Sequence, residues 1–100
     1  MENVKQCAII VRRSEDLWEG TRTSLGLAAH NYCATLYVIG VKVDMWDELR
    51  ENLAWLEEME CEYISDLKEN EKYNFRTESL DEISKALRDM DIIIPFGRRN

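Results

Sequence analysis

Apolar residues in this chain fall into two patterns: short continuous blocks, and longer stretches with one apolar position every three or four residues. The first block, about residues 4–12, holds Val4, Ala8, Ile9, Ile10 and Val11. The second, about 34–40, runs Ala34-Thr-Leu-Tyr-Val-Ile-Gly40. Blocks apolar on both faces and joined by a helix-length segment predict buried strands of a parallel sheet linked by a crossover helix. The linking helix, about 18–30, is rich in small residues and sets Trp18, Thr21, Leu25, Ala28 and Ala29 near one face. His30 falls at its C-terminal end, where the helix dipole favours a cation, and reads as a surface or capping residue.

A second helix is predicted over about 45–59. Met45, Leu49, Leu53, Leu56 and Met59 make its apolar stripe, and Glu48, Glu51, Glu57 and Glu58 cover the opposite side. Asp44 suits its N-cap, with Asp47 in the first turn. Trp46 and Trp55 lie on the two margins of the stripe. They either widen the core contact or form an interface with another subunit. Residues 60–65 predict a third, alternating strand. Residues 66–77 are polar, with room for a helical turn or two over 66–72 and with Tyr73 and Phe75 set among charges. Ser79-Leu-Asp-Glu82 is a capping box that opens a third helix with the stripe Leu80, Ile83, Leu87 and Met90. A last buried strand, 91–95, stops at Pro95 and Gly97. The order β-α-β-α-β-α-β predicts one three-layer α/β domain over residues 1–100, with a mainly parallel sheet of four to five strands.

Composition narrows the function. No apolar run approaches the ~20 residues that span a bilayer, and the opening residues lack the pattern of a signal peptide. A cytoplasmic protein with no membrane contact is expected. The net charge of -7 is concentrated in residues 41–91, where sixteen acidic side chains face seven basic ones. Such a surface argues against nucleic-acid binding, which needs basic groups to displace counterions, and fits a basic partner. Three cysteines without a Cys-x-x-Cys pair make no disulfide framework, and with a single histidine no zinc site is expected.

In open α/β sheets, ligands bind where strand C-termini and helix N-termini converge. The turn after the first strand has neither a Gly-x-Gly-x-x-Gly cradle nor a Gly-Lys-Ser/Thr motif, so no cofactor is expected there. Its polar residues Ser14, Glu15 and Asp16 are candidate ligand residues, as is Asp66 after the third strand. Tyr73 and Phe75 belong to the long polar segment, and loops of that length are often contact loops. One alternative reading joins Glu15, Asp16 and Asp66 into a carboxylate cluster for Mg²⁺, as in a receiver-like signalling domain. Another is a partner-binding module without chemistry, using the Tyr73–Phe75 loop and the two tryptophans.

The segments Glu19-Gly-Thr-Arg-Thr-Ser-Leu-Gly-Leu-Ala-Ala, Ala34-Thr-Leu-Tyr-Val-Ile-Gly-Val-Lys-Val43, Ser79-Leu-Asp-Glu-Ile and Asp91-Ile-Ile-Ile-Pro-Phe96 resemble the DsrE/DsrF-like family of small sulfur-relay proteins. The resemblance implies a flavodoxin-like/Rossmann-like sheet. It also implies self-association as a dimer, trimer or hexamer, and a sulfur-carrier protein as partner. Active members carry persulfide sulfur on a cysteine just after the third strand. Here that segment is Asp66-Leu-Lys-Glu-Asn-Glu, without cysteine, which points to a binding or structural member rather than an enzyme. Cys61 is the nearest thiol and the one candidate for catalysis. Its neighbours Glu60 and Glu62 oppose thiolate formation, and a strand thiol facing the helices is the competing reading. Cys7, among apolar neighbours, reads as structural.

Overall fold

The computed structural model describes residues 4–97. Its strands are β1 (Gln6–Val11), β2 (Cys33–Val38), β3 (Glu62–Ser65), β4 (Arg76–Thr77) and β5 (Ile92–Phe96). Its α-helices are α1 (Leu17–Ala29), α2 (Asp47–Glu58) and α3 (Leu80–Leu87), and 3₁₀ helices cover Ser14–Asp16 and Lys68–Tyr73. Every strand pair is parallel, in the order β4-β3-β2-β1-β5. This is the three-layer flavodoxin-like/Rossmann-like α/β fold that the alternation of blocks and stripes predicts. No helix among the described residues is long and apolar enough to cross a membrane.

Handedness distributes the helices. The crossovers β1-α1-β2 and β2-α2-β3 step in the same direction along the sheet, so right-handed connections set both helices on one face. There they cover Cys7, Ile9, Val11, Leu36 and Val38. The connection from β4 to β5 runs back across the whole sheet, and the same handedness turns α3 to the opposite face, over Ala8, Tyr37 and Ile64. Gly20 lets α1 lie close to the sheet, because a Cβ built there would collide with Cγ2 of Val11.

The helix ends explain where the expected boundaries moved. The capping box at α3 is present in full: Ser79 Oγ accepts from Glu82 N–H at 3.1 Å, and Glu82 Oε1 accepts from Ser79 N–H at 2.8 Å. Helices α1 and α2 both end in a left-handed residue, Asn31 at φ 68° and Glu60 at φ 62°. The next amides, of Tyr32 and Cys61, donate back to the carbonyls of Leu27 and Leu56 at 3.0 and 2.9 Å. This is the Schellman closure, which tucks the following side chain against the helix. Glu60 and Cys61 therefore finish α2, and the third strand begins only at Glu62. That strand does not alternate: Tyr63, Ile64 and Ser65 are all buried because both faces of β3 are covered.

Helix α2 starts at Asp47, with Trp46 rather than Asp44 at the N-cap position. The delay follows from residues 39–46, an irregular segment whose Val41 and Val43 are buried. Asn70 holds it there. This fully buried side chain accepts from the Val43 N–H at 2.9 Å and donates to the Val41 carbonyl and to Ser65 Oγ, each at 2.8 Å. The polar stretch 66–77 thus becomes a 3₁₀ helix and a two-residue strand, ordered by one amide.

Replacing Asn70 by Ala leaves the Val43 N–H and the Val41 carbonyl without their buried partner. The expected loss is about 3 kcal/mol, since each unsatisfied buried group costs ~1–3 kcal/mol. Urea unfolding of the variant should show an earlier midpoint at unchanged slope; an unchanged midpoint contradicts this role.

Candidate functional site: a groove between the second helix and the 3₁₀ segment

On α2, Arg50, Leu53, Ala54 and Glu57 recur at helical spacing and so share a face. Leu53 is buried, while Arg50, Ala54 and Glu57 stay exposed. Opposite them the 3₁₀ helix ends in Tyr73 and then Asn74, which takes the left-handed conformation at φ 71°. Asparagine tolerates that conformation better than most residues, and the turn delivers the chain into β4. Between these walls lies a cavity of about 240 Å³ lined by Met45, Arg50, Leu53, Ala54, Glu57, Tyr63, Lys72, Tyr73 and Asn74. A second hollow of about 200 Å³ shares Glu57, Tyr63 and Asn74 and reaches Glu62 and Arg76 at the sheet edge.

Tyr63 is the fixed point of the groove. Its ring meets Phe75 edge-on, with centroids 4.9 Å apart at 84°, a favourable quadrupole arrangement. Its hydroxyl donates a short hydrogen bond to the Glu57 carboxylate. Burial pushes the phenol far above its ordinary range, the hydrogen bond and negative charge of Glu57 push it further, and a hydrogen bond from the Asn74 side chain pulls slightly the other way. The Lys72 ammonium lies 5.2 Å from the centroid of the Tyr73 ring. Neither Arg50 nor Lys72 forms an ion pair among the described residues. The groove therefore combines two cations, a carboxylate, a phenol and an amide with the apolar side chains of Met45, Leu53 and Ala54.

The strand C-termini present a different picture. The switch point of this sheet lies between β1 and β5, where open α/β folds receive ligands. The 3₁₀ helix Ser14–Asp16 fills the turn after β1, and its charges close on one another. Arg13 pairs with Asp16 at 3.0 Å and with Glu15 at 3.4 Å, and Ser14 is exposed beside them. Asp66 accepts from the backbone N–H of Gly40 at 2.8 Å, where Gly40 takes φ 70°. It closes the exit of β2, and β2 stands between β1 and β3, so Asp66 does not join Glu15 and Asp16. No group of three or more His, Cys, Asp or Glu side chains is arranged to hold a metal among the described residues.

The other expected site residues divide. Tyr73 lines the groove, whereas Phe75 is buried behind it as the support of Tyr63 and is no surface contact. Trp46 leans on Trp18 with ring centroids 6.1 Å apart, joining the starts of α1 and α2, while Trp55 is 58 % exposed. Cys61 is buried directly after the Schellman turn. Burial raises its thiol, a backbone hydrogen bond from Ala34 lowers it, and nearby Cys33 raises it again. Two cations of the following segment are engaged elsewhere: Arg76 bonds Glu62 at 2.6 Å and Glu78 at 2.7 Å, and Lys72 lies on Tyr73. Cys7 is fully buried and likewise raised, first by burial. Sequence reasoning missed Arg50, Glu57, Tyr63, Lys72 and Asn74. The spacing of Arg50 and Glu57 around Leu53 was the available signal.

Two measurements test this electrostatic picture. A thiol reagent near neutral pH should modify half-buried Cys33 first, with Cys7 and Cys61 reacting only slowly until the protein unfolds. Peptide mapping that finds Cys61 modified fastest would overturn the assignment. The second concerns alkali. Because folding raises the Tyr63 phenol, the stability it contributes is complete below the ~10 of a free tyrosine and is lost as pH rises through the folded value. Tyr63→Phe should cost about 1 kcal/mol at neutral pH by removing the bond to Glu57, and should flatten the loss of stability above about pH 10. Unfolding curves that stay parallel to the parent across that range contradict it.

In comparisons with known proteins, no family model, no curated protein and no solved structure matches the chain, and nothing among them identifies the DsrE/DsrF-like family.

Proposed function

We propose that the protein is a binding module whose ligand site is the groove between α2 and the Lys68–Tyr73 helix. The observation that carries this reading is the convergence on one cavity of Arg50 and Lys72, neither ion-paired among the described residues, with the Tyr63–Glu57–Asn74 hydrogen-bond set. A cavity of 240 Å³ lies just below the ~300 Å³ at which pockets for drug-sized ligands begin. It suits a small metabolite and is too small for a dinucleotide.

The lining specifies that metabolite chemically. Arg50 and Lys72 take an anionic group, Glu57 and the Asn74 carbonyl take a hydrogen-bond donor, and Met45, Leu53 and the Tyr73 ring take an apolar body. An amino acid with an apolar side chain has all three. In this reading the relation to sulfur-relay proteins is that of a binding member without a carrier thiol. Its support is the burial of Cys61 and the upward shift of its thiol, since a persulfide carrier needs an accessible thiolate.

The test is a thermal-shift and calorimetric series with apolar amino acids, the corresponding 2-oxo acids and the corresponding amines. The amino acids are expected to raise Tm in a concentration-dependent way, the 2-oxo acids less, and the amines not at all. Arg50→Ala should weaken binding roughly tenfold or more, the usual consequence of losing one charge-assisted contact. Absence of any shift with all three classes, or full binding by Arg50→Ala, defeats the proposal.

A further inference from the structure

The groove continues past the bond between Tyr63 and Glu57. The second hollow, of about 200 Å³, shares Glu57, Tyr63 and Asn74 with it and adds Glu62 and Arg76. The two ends differ in charge. At the first stand Arg50 and Lys72, neither ion-paired among the described residues. At the second, the carboxylates of Glu57, Glu62 and Glu78 stand against the single guanidinium of Arg76. Arg76 bonds Glu62 and Glu78, whereas Glu57 is met by a neutral phenol, so that end keeps an excess of negative charge. A carboxylate has about four lone-pair sites. Arg76 takes two of those on Glu62, at 2.6 and 3.3 Å, and Glu62 can accept from a further donor.

Helix α2 sets the distance between the ends. Arg50 and Glu57 are two turns apart on it, so their Cα atoms are separated by about 10.5 Å along the axis. In a free amino acid both charges hang from one carbon. A ligand with one more backbone unit, ~3.5 Å longer, matches the two ends better. The walls are graded in the same direction. Met45, Leu53, Ala54 and Tyr73 line the cationic end, and the second hollow has no aliphatic residue. Between them, Asn74 donates its side-chain N–H to the Tyr63 oxygen, and its carbonyl is the acceptor that remains for an N–H in the middle of a ligand.

We infer that the groove and the second hollow form one site for a dipeptide with free ends, a small residue first and an apolar residue second. The inference rests on the reading of the groove as an amino-acid site and extends it by one residue. The C-terminal carboxylate takes Arg50 and Lys72, and the second side chain lies against Met45, Leu53 and the Tyr73 ring. The peptide N–H meets the Asn74 carbonyl. The terminal ammonium enters the second hollow, between Glu57 and Glu62.

Calorimetry of the full chain with leucine, glycyl-leucine, leucyl-glycine, N-acetyl-leucine and a straight-chain ω-amino acid of the dipeptide's length tests this. Glycyl-leucine is expected to bind about tenfold or more tightly than leucine, the usual effect of one added charge-assisted contact. N-acetyl-leucine keeps the amide bond and the carboxylate but lacks the ammonium, and should lose that gain. The ω-amino acid, without a peptide N–H, and the reversed dipeptide should also bind more weakly than glycyl-leucine. Glu62→Gln should weaken glycyl-leucine about tenfold and leave leucine unchanged, whereas Arg50→Ala should weaken both. If Glu62→Gln fails to fold, the N-acetyl-leucine comparison on the parent protein decides the same point. Glycyl-leucine binding no tighter than leucine overturns the inference and leaves the amino-acid reading standing; no binding by any of the five removes both. Equal binding of glycyl-leucine and N-acetyl-leucine, the ω-amino acid or the reversed dipeptide also overturns it.

Discussion

One buried amide holds the variable half of this molecule in place. Asn70 joins the exit of β2 through Val41 and Val43 to the end of β3 through Ser65, and these three bonds fix the Lys68–Tyr73 helix on which it sits. Buried polar groups must be satisfied, and an amide with two donors and an acceptor can bind several strands of chain at once. Without it nothing polar would fill the space between the β2 exit and β3. Residues 39–46 would be free to start α2 earlier, and the wall bearing Lys72, Tyr73 and Asn74 would have no anchor. The groove is therefore a consequence of a structural hydrogen-bond network, and its lining is positioned by a residue that does not line it.

The second constraint is the direction of the crossovers. Two connections step one way and set α1 and α2 side by side; the return to β5 sets α3 alone on the other face. A single helix lying along the strands is about 10 Å across, whereas five strands at ~4.8 Å spacing extend about 19 Å between their outer axes. One short helix cannot cover that face, so the outermost strand is left half-dressed. The same topology gives the α1–α2 face a deep core around Gly20 and Leu49, and leaves β5 with its apolar side chains in contact with solvent.

Much of this was legible in the sequence. The continuous apolar blocks gave β1, β2 and β5, the stripes gave the helices, and Ser79 with Glu82 gave the start of α3 to the residue. What was illegible had physical causes. The end of α2 was read to within a residue, but Glu60 closes the helix in a left-handed conformation that sequence reading assigns to glycine or asparagine, so Glu60 and Cys61 were read as part of a strand. Asp44 looked like an N-cap because its local chemistry suits one, but long-range bonds from Asn70 outweighed the local preference. Strand β4 is two residues long and has no period to detect. Phe75 lay among charges and looked exposed, yet it faces Tyr63 across adjacent strands, a pairing that only tertiary structure creates.

The site itself was hidden for an electrostatic reason. In a chain of net charge -7, an acidic helix face reads as solvated surface, and Glu57 was grouped with Glu48, Glu51 and Glu58. The fold separates it from them by placing Tyr63 against it. The surrounding acidity also bears on the ligand. A purely anionic molecule approaches against the field of the whole protein, so its association is slowed rather than steered. A molecule that presents a donor to Glu57 while its anionic end reaches Arg50 and Lys72 carries little net charge and avoids that opposition. Its binding would rest on short-range contacts within the groove, and such contacts are weakened by salt far less than long-range steering is. In the binding reading proposed above, Arg50 and Lys72 beside Glu57 in an acidic protein would favour a ligand of mixed charge.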